Sequence, residues 1–405
     1  MLAALTAVAA CGQGGLATAA KPPADRPTAA ATDDASSAAT VSPTTATSVA
    51  TPSAAISTTA HTANGPDPFA PVVPGYTLQF PRDYGAHPRF RIEWWYVTGW
   101  LTTTRDETLG FQVTFFRVGT TADAHNPSAF TPGTLLIAHV AISDPARGNL
   151  WQDQRIRRAD LGLAQAREGD TDVWLDDWRL ERRDGAYLTQ VMARNFGLDL
   201  KFTPTGPPMP NGVAGYSQKG PAPQSASYYY SQPHLVVSGR VTRAQRSDAV
   251  TGEAWLDHEW ASEYLDPEAT GWDWIGINLD DGGALMAFRI RGRDGSARWA
   301  GATLRNARGE VQTFRPGQIH FTPQQRWRSP RTGVSYPVSW QVRVGANVFD
   351  LTPLMDDQEL DARLSSGALY WEGAVRASQN GRSAGRGYLE LTGYDRPLSI
   401  PGSSQ

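Results

Sequence analysis

Hydrophobic and polar positions along this chain fall into short runs bounded by turn residues, with little helical periodicity. Ile92 to Leu101, Leu109 to Val118, Thr134 to Ser143 and Leu235 to Val241 are rich in β-branched and aromatic residues. Clusters of Gly, Pro, Asp and Asn separate them, as expected of strands and turns. Asp356 to Leu364 is the stretch that best fits a short helix. Many short strands predict an all-β sandwich or barrel. Residues 204–227 are rich in Pro, Gly, Ser and Gln and carry no strand pattern. A loop of that length is either a lid near a barrel mouth or a disordered insertion.

The strand pattern recurs. Trp94-Trp95-Tyr96-Val97 runs on to Leu101 and is followed by Gly110-Phe111-Gln112-Val113-Thr114-Phe115. Later, Trp272-Asp273-Trp274-Ile275 runs on to Leu279 and is followed by Gly283-Ala284-Leu285-Met286-Ala287-Phe288. A second echo closes each half, since Trp255-Leu256-Asp257 resembles Tyr388-Leu389-Glu390. Two matches in the same order predict two related β-barrel halves, residues 67–245 and 246–401, with the Asp257 strand at their junction. Chance likeness between β-hairpins of similar composition is the plainer alternative.

Composition changes the picture at the N-terminus. Leu2 to Ala10 is a short apolar run ending in Val8-Ala9-Ala10-Cys11, and Cys11 is the single cysteine of the chain. Small residues before a lone cysteine suggest a lipoprotein signal over residues 1–11, cleaved before Cys11 and lipidated there. The run is too short to span a bilayer and lacks the basic residues with which such signals begin. Residues 12–66 are mostly Ala, Thr, Ser and Pro, which cannot bury enough apolar surface to offset ordering entropy. They read as a disordered tether that holds a domain off a membrane, on its periplasmic or other extracytoplasmic side. All 14 Trp, 13 Tyr and 13 Phe lie from Phe69 onward, which is ample material for a core. The net charge of −3, without a basic run, gives no case for nucleic acid.

The most unusual local sequence is Trp255-Leu256-Asp257-His258-Glu259-Trp260. Strand alternation puts Trp255, Asp257 and Glu259 on one face and Leu256, His258 and Trp260 on the other. Either way a titratable group enters an aromatic environment. A buried carboxyl there has a raised pKa and can protonate a substrate. A structural ion-pair network is the competing explanation. Glu93, Asp273 and Glu372 also sit beside aromatics. Aromatic faces can stabilise a cation by about 0.5–2 kcal/mol each, which suits protonation of an isolated double bond. They also suit a long hydrocarbon ligand, or fill a core. His139 lies in an apolar strand and is either a hydrogen-bonded core residue or a second proton-transfer group beside Asp257. The seven histidines show no metal-binding spacing, so a metal site is not expected. Hydrolase, kinase and dehydrogenase motifs are absent from suitable contexts.

Taken together, Glu93 to Gly99, Gly110 to Arg117, Ala138 to Asp144, Trp255 to Trp260 and Trp272-Asp273-Trp274 resemble the lipocalin-like family of AttH proteins and carotenoid 1,2-hydratases. The likeness spans roughly residues 75–395. It implies two tandem lipocalin-like β-barrel domains. For the hydratase branch it implies cofactor-free addition of water to an isoprenoid double bond. Asp257 would be the acid, His258 its neighbour in the motif, and Glu93, Trp94, Tyr96, His139, Trp255 and Trp274 would line the ligand site. The tether behind a lipobox looks more like the AttH branch, whose members are linked to ABC-type export systems. The expectation is therefore a lipid-anchored protein that binds a hydrophobic, isoprenoid or lipid-like molecule and has a possible hydro-lyase activity. The alternative is a non-catalytic accessory to ABC-transporter components. Sugar binding is a third, weaker idea, because Trp faces beside carboxylates also suit carbohydrates.

Overall fold

The computed structural model describes residues 68–120, 133–159 and 162–398. The Cys11 lipobox and the tether of residues 12–66 lie outside the described residues. Two sheets account for nearly all of the described chain. The first contains β1 (Ile92–Thr103), β2 (Thr108–Gly119), β3 (Thr134–Asp144), β4 (Asn149–Arg158), β5 (Ala164–Ala166), β6 (Asp172–Leu175) and β7 (Trp178–Arg183). It continues with β8 (Ala186–Met192), β9 (Phe196–Pro204), β10 (Met209–Pro210), β11 (Tyr216–Gln218), β12 (Ala226–Arg243) and β13 (Arg246–Ala261). The second is built from β14 (Ala269–Leu279), β15 (Ala284–Gly292), β16 (Ala297–Arg305), β17 (Val311–Phe314) and β18 (Ile319–Pro323). After a separate hairpin, β19 (Arg326–Arg328) and β20 (Ser335–Pro337), it resumes with β21 (Trp340–Val344), β22 (Asn347–Pro353), β23 (Glu359–Ala362), β24 (Ala368–Gln379) and β25 (Arg382–Thr392).

Both sheets curl into barrels, as expected of tandem lipocalin-like domains. In the first, the strand order is β4-β3-β2-β1-β13-β12-β9-β8-β7-β6-β5. Its two edges come back together, and Arg155 and Arg157 of β4 reach Asp176 across the gap. In the second, the order is β17-β16-β15-β14-β25-β24-β22-β21-β18, and β16 returns against β18. All pairings are antiparallel, so each strand presents alternate residues to the interior.

Burial shows where the barrels meet. Strand β9 alternates, with Leu198, Leu200 and Phe202 inside and Asp199, Lys201 and Thr203 in solvent. Strands β1 and β14 are buried along both faces. The outer face of β1, β2, β12 and β13 is covered by the outer face of β14, β24 and β25. Thus Ile275, Ile277, Leu389 and Leu391 fill the second barrel, while Trp272, Trp274, Tyr388 and Ala374 pack with the core of the first. Polar pins fix this seam. Trp100 Nε1 donates to Gly387 O at 3.0 Å, Asn278 Nδ2 donates to Ala254 O at 3.2 Å, and Gln154 Nε2 donates to Asp361 O at 2.7 Å.

The internal repeat has a structural meaning. Strand β1 pairs with β13, and β14 pairs with β25, so the two echoes are hydrogen-bonded neighbours in both halves. Tyr96 faces Asp257 in the first barrel, and Trp274 faces Glu390 in the second. Two expectations change. Strand β13 belongs wholly to the first sheet, so the chain passes to the second sheet after Ala261 and not at residues 245–246. The helix expected over Asp356 to Leu364 is replaced by β23, which pairs with β24. Tertiary contacts override local preference there: Ser329 and Thr332 donate to Glu359, and Gln152 accepts from the Asp361 N–H. The 204–227 segment is described throughout and runs as an ordered strap carrying β10 and β11 along β12.

Gly110 sits where the barrels touch, and a Cβ there would lie 2.7 Å from the Ala374 Cβ. Gly110→Val should therefore overpack the seam and cost about 1–3 kcal/mol, read as a lower midpoint in urea unfolding.

Candidate active site between the barrels

The Asp257 strand serves two separate clusters, one on each face. Asp257, Glu259 and Trp255 point out of the first barrel into the seam. His258, Leu256 and Trp260 point into its interior.

At the seam, Asp257 is fully buried. Its Oδ1 accepts from Ser231 Oγ at 2.5 Å and from Trp255 Nε1 at 2.7 Å, and its Oδ2 accepts from the Tyr229 hydroxyl at 2.7 Å. Strand register delivers Ser231 directly opposite Asp257 on β12, with Tyr229 two residues away on the same face. The second barrel completes the arrangement, because Trp274 Nε1 donates to the Tyr229 hydroxyl at 3.0 Å. Burial pushes the Asp257 carboxyl up to about 7, against the lowering effect of its three donors. Oδ1 is filled by two donors, so Oδ2, which takes only one, has room for the proton.

Farther along the same face, Lys219 from the strap is buried against Glu259, 2.9 Å away, and Ser227 also donates to Glu259. The Lys219 ammonium lies over the rings of Phe288 and Tyr229, at 4.1 and 4.8 Å. Trp94 packs edge-on against Tyr264 beside this group. The aromatic faces at that end are thus engaged by a resident cation. On the other side of Asp257, Tyr96 meets Trp274 edge-to-face at 5.6 Å, and no cation occupies them among the described residues.

Inside the first barrel, Glu93 gathers a network of its own. Its Oε1 lies 2.7 Å from His87 Nδ1 and 2.9 Å from His258 Nε2, and its Oε2 accepts from Arg117 Nε at 2.9 Å. Burial opposes the Glu93 charge, but His87, His258 and Arg117 outweigh it and hold the carboxyl well below the usual range. Burial pushes the His258 pKa down, against the raising effect of Glu93, and its Nδ1 lies 3.1 Å from both the Tyr230 hydroxyl and the Asp83 carbonyl oxygen. His87 stacks on Trp260 with ring centroids 3.7 Å apart. Three donor atoms of His87, Glu93 and His258 converge within 4.8 Å and could ligate a metal ion. Arg117 already takes one carboxylate oxygen and the two histidines the other, so the donor chemistry fits a closed ion-pair network better.

The residues expected at a single site therefore divide. Asp257, Trp255, Tyr96 and Trp274 come together at the seam, with Trp94 nearby. Glu93 and His258 lie behind them, on the far side of the sheet. His139 also faces the seam, but three strands from Asp257 through the row Thr114, Tyr96, Asp257. Its Nε2 bonds Ser365 Oγ of the second barrel at 2.9 Å, and burial holds it neutral, with its pKa down near 3. Asp273 is a structural partner of Arg289 in the second barrel. Tyr229, Ser231, Lys219 and His87 escaped sequence reasoning because strand register, the strap and the segment before β1 bring them in. The run of three tyrosines, Tyr228 to Tyr230, was the available signal.

The profile of the AttH-like family matches residues 71–394. The chain belongs to the AttH-like family. A crystal structure named as an AttH from Nitrosomonas europaea is 56% identical, covers 80% of this chain and 100% of its own, and superposes with a TM-score of 0.76. Kievitone hydratase from Nectria haematococca is 17% identical over 81% of this chain and 98% of its own, with a TM-score of 0.60. CghA bound to Sch210972 is 12% identical over 77% of this chain and 90% of its own, with a TM-score of 0.50. At these low identities the last two show a shared fold. No curated protein matches the chain. In this AttH-like protein, burial raises the pKa of the Asp257 carboxyl at the contact between the barrels.

The Asp257 carboxyl carries a pH signature. Below an ordinary carboxyl pKa of 3.8, folded and unfolded chains are both protonated at this group. Between there and about 7 the folded chain keeps a proton that the unfolded chain has lost, so stability falls as pH rises. Above about 7 the burial of the charge is felt in full. Asp257→Asn, which mimics the neutral acid, should remove this slope and leave the variant more stable than wild type at pH 8 but not at pH 4, measured by urea unfolding.

Proposed function

We propose that the protein binds a hydrophobic, isoprenoid- or lipid-like molecule in the seam between its barrels and adds water across a double bond of that molecule. The observation that carries this reading is Asp257, a carboxyl that keeps its proton near neutral pH beside aromatic rings. Protonation of an isolated alkene generates a tertiary cation. Tyr96 and Trp274 present ring surface on the side of Asp257 that Lys219 leaves open. A shared fold with a protein named a hydratase is consistent with this chemistry and does not by itself assign it.

At one edge of the seam lies a cavity of about 560 Å³ whose lining includes Glu253, Asn278, Arg376 and Arg386. Glu253 lies two residues from Trp255 on the Asp257 face of β13. A ligand would enter from this edge, its hydrocarbon part running inward along the aromatic row. In this reading His258 and Glu93 hold β13 in place from behind, and Asp257 alone transfers the proton.

We further place the protein on the extracytoplasmic side of a membrane, tethered through a lipid on Cys11. Such a position suits capture of a membrane-soluble ligand. It also suits the second reading, a non-catalytic accessory of an ABC-type export system, which the AttH name of the 56% identical relative keeps in view. Turnover separates the two.

Wild-type protein incubated with lycopene, whose chain ends in trisubstituted double bonds, should yield a product heavier by one water. Asp257→Asn should bind the same carotenoid but lower kcat by a factor of about 10²–10⁴. Binding with no product in the wild type would assign the carrier role instead. Separately, Cys11→Ser should move the protein from the membrane to the soluble fraction on cell fractionation. Unchanged membrane retention would remove the anchor.

A further inference from the structure

Beyond Asp257, the seam holds a group of buried polar atoms with nothing to bond. The Tyr96 hydroxyl, Thr98 Oγ1, both amide atoms of Gln112, and Glu372 Oε2 are buried, and none makes a hydrogen bond of good geometry among the described residues, although the Gln112 amide lies near enough to Glu372 to favour its charge. Such atoms are rare in folded proteins, because each unmade bond costs roughly 1–3 kcal/mol. Here five fall in one place. Tyr96 and Thr98 are adjacent on the seam face of β1, and Gln112 is the register partner of Thr98 on β2. Glu372 arrives from the other barrel. It lies two residues before Ala374, whose Cβ stands against Gly110, and Gly110 lies two residues before Gln112. The clustering also shows in the charges. The Tyr96 hydroxyl is pushed well above its ordinary pKa by burial first, and then by Glu372, Tyr388 and Asp257 near it.

We infer that this group is a water- and hydroxyl-binding chamber, and that Glu372 is the base that activates the water added to the alkene. The inference rests on the hydration reading for its chemistry. The chamber itself rests on the unpartnered atoms. Thr98, Gln112 and Tyr96 offer a mixture of donors and acceptors that can hold one oxygen, and Glu372 supplies an acceptor that forms no ion pair among the described residues. Burial keeps the Glu372 carboxyl up at about 7, so an ionised fraction is present at neutral pH. The other ionisable groups around it are Tyr370, Tyr388, Glu390 and, across the seam, His139.

The reaction balances as follows. The Asp257 carboxyl gives its proton to the less substituted alkene carbon as the π bond breaks, leaving a tertiary cation and an Asp257 carboxylate. The oxygen of the chamber water forms the C–O bond, and the Glu372 carboxylate takes one water proton. The product has gained one H and one OH. The proton on Glu372 then returns to Asp257 by exchange through chamber water, which restores both groups. The acid thus comes from one barrel and the base from the other.

Two measurements test this. The first needs no turnover. Tryptophan fluorescence compares 3,7-dimethyloctane-1,7-diol, whose terminal tertiary alcohol mimics a hydrated isoprenoid end, with 3,7-dimethyloctan-1-ol, which lacks it. Wild type should favour the diol by about tenfold or more, and Glu372→Leu and Gln112→Leu should each erase that preference while still binding the plain alcohol. Equal affinities in wild type, or a preference that survives both substitutions, overturns the chamber. The second measurement is hydration of lycopene. Glu372→Gln should lower kcat by about 10²-fold or more, leave KM within a few-fold, and abolish the rise in rate with pH that reflects ionisation of the base. Turnover close to wild type in that variant overturns the role of Glu372. A wild type that favours the diol but hydrates no alkene keeps the chamber as a hydroxyl site and sinks the hydration reading, so the two failures are told apart.

Discussion

The seam between the barrels depends on one constraint, the removal of water from the outer face of β1, β12 and β13. On a single barrel that face would be wet, and Asp257, Glu259, Gln112 and Tyr96 would be ordinary surface residues. Docking of β14, β24 and β25 converts them into interior groups. Each then has to find a partner, shift its pKa or remain unsatisfied. All three outcomes occur. Glu259 finds Lys219, Asp257 holds its proton, and Tyr96, Thr98, Gln112 and Glu372 are left with atoms that bond nothing in the described protein.

The two faces of β13 answer the same constraint differently. Behind the seam, Glu93 is ionised and saturated by two histidines and an arginine, which gives a rigid, closed network. Removing one partner from such a cluster would strand a buried charge, the expensive kind of loss. In front, Asp257 is supported by neutral donors only. Neutral donors fix its geometry without compensating a full charge, and this difference keeps one carboxyl proton-poor and the other proton-rich within a single stretch of two paired strands.

Much of the fold was legible in the sequence. The strands from Ile92 to Ser143 are marked by β-branched and aromatic runs, and the Trp-x-aromatic repeat marks two halves. Two things were not legible. Alternation could say that Asp257 and His258 point opposite ways, but not that both sides are buried, since this depends on the second barrel covering the first. The helix suggested over Asp356 to Leu364 failed because its periodicity is local, whereas the partners of Glu359 and Asp361 come from Ser329, Thr332 and Gln152. Likewise His139 looked like a neighbour of Asp257 in composition. Register places it three strands away, tied to Ser365.

The interior of the first barrel is packed solid with side chains such as Phe111, Phe115, Trp178, Leu200 and Phe202. The proposed binding residues stand on the outside of that barrel and the outside of its neighbour. In the proposed reading, a change of ligand would fall on one shared wall, which lies outside both barrel interiors. In a one-barrel binder, the residues that recognise the ligand are also the residues that hold the barrel up, and the two demands compete. Here a second barrel adds a wall outside the first interior, so the side chains proposed to recognise a ligand and those that fill the barrels are different sets.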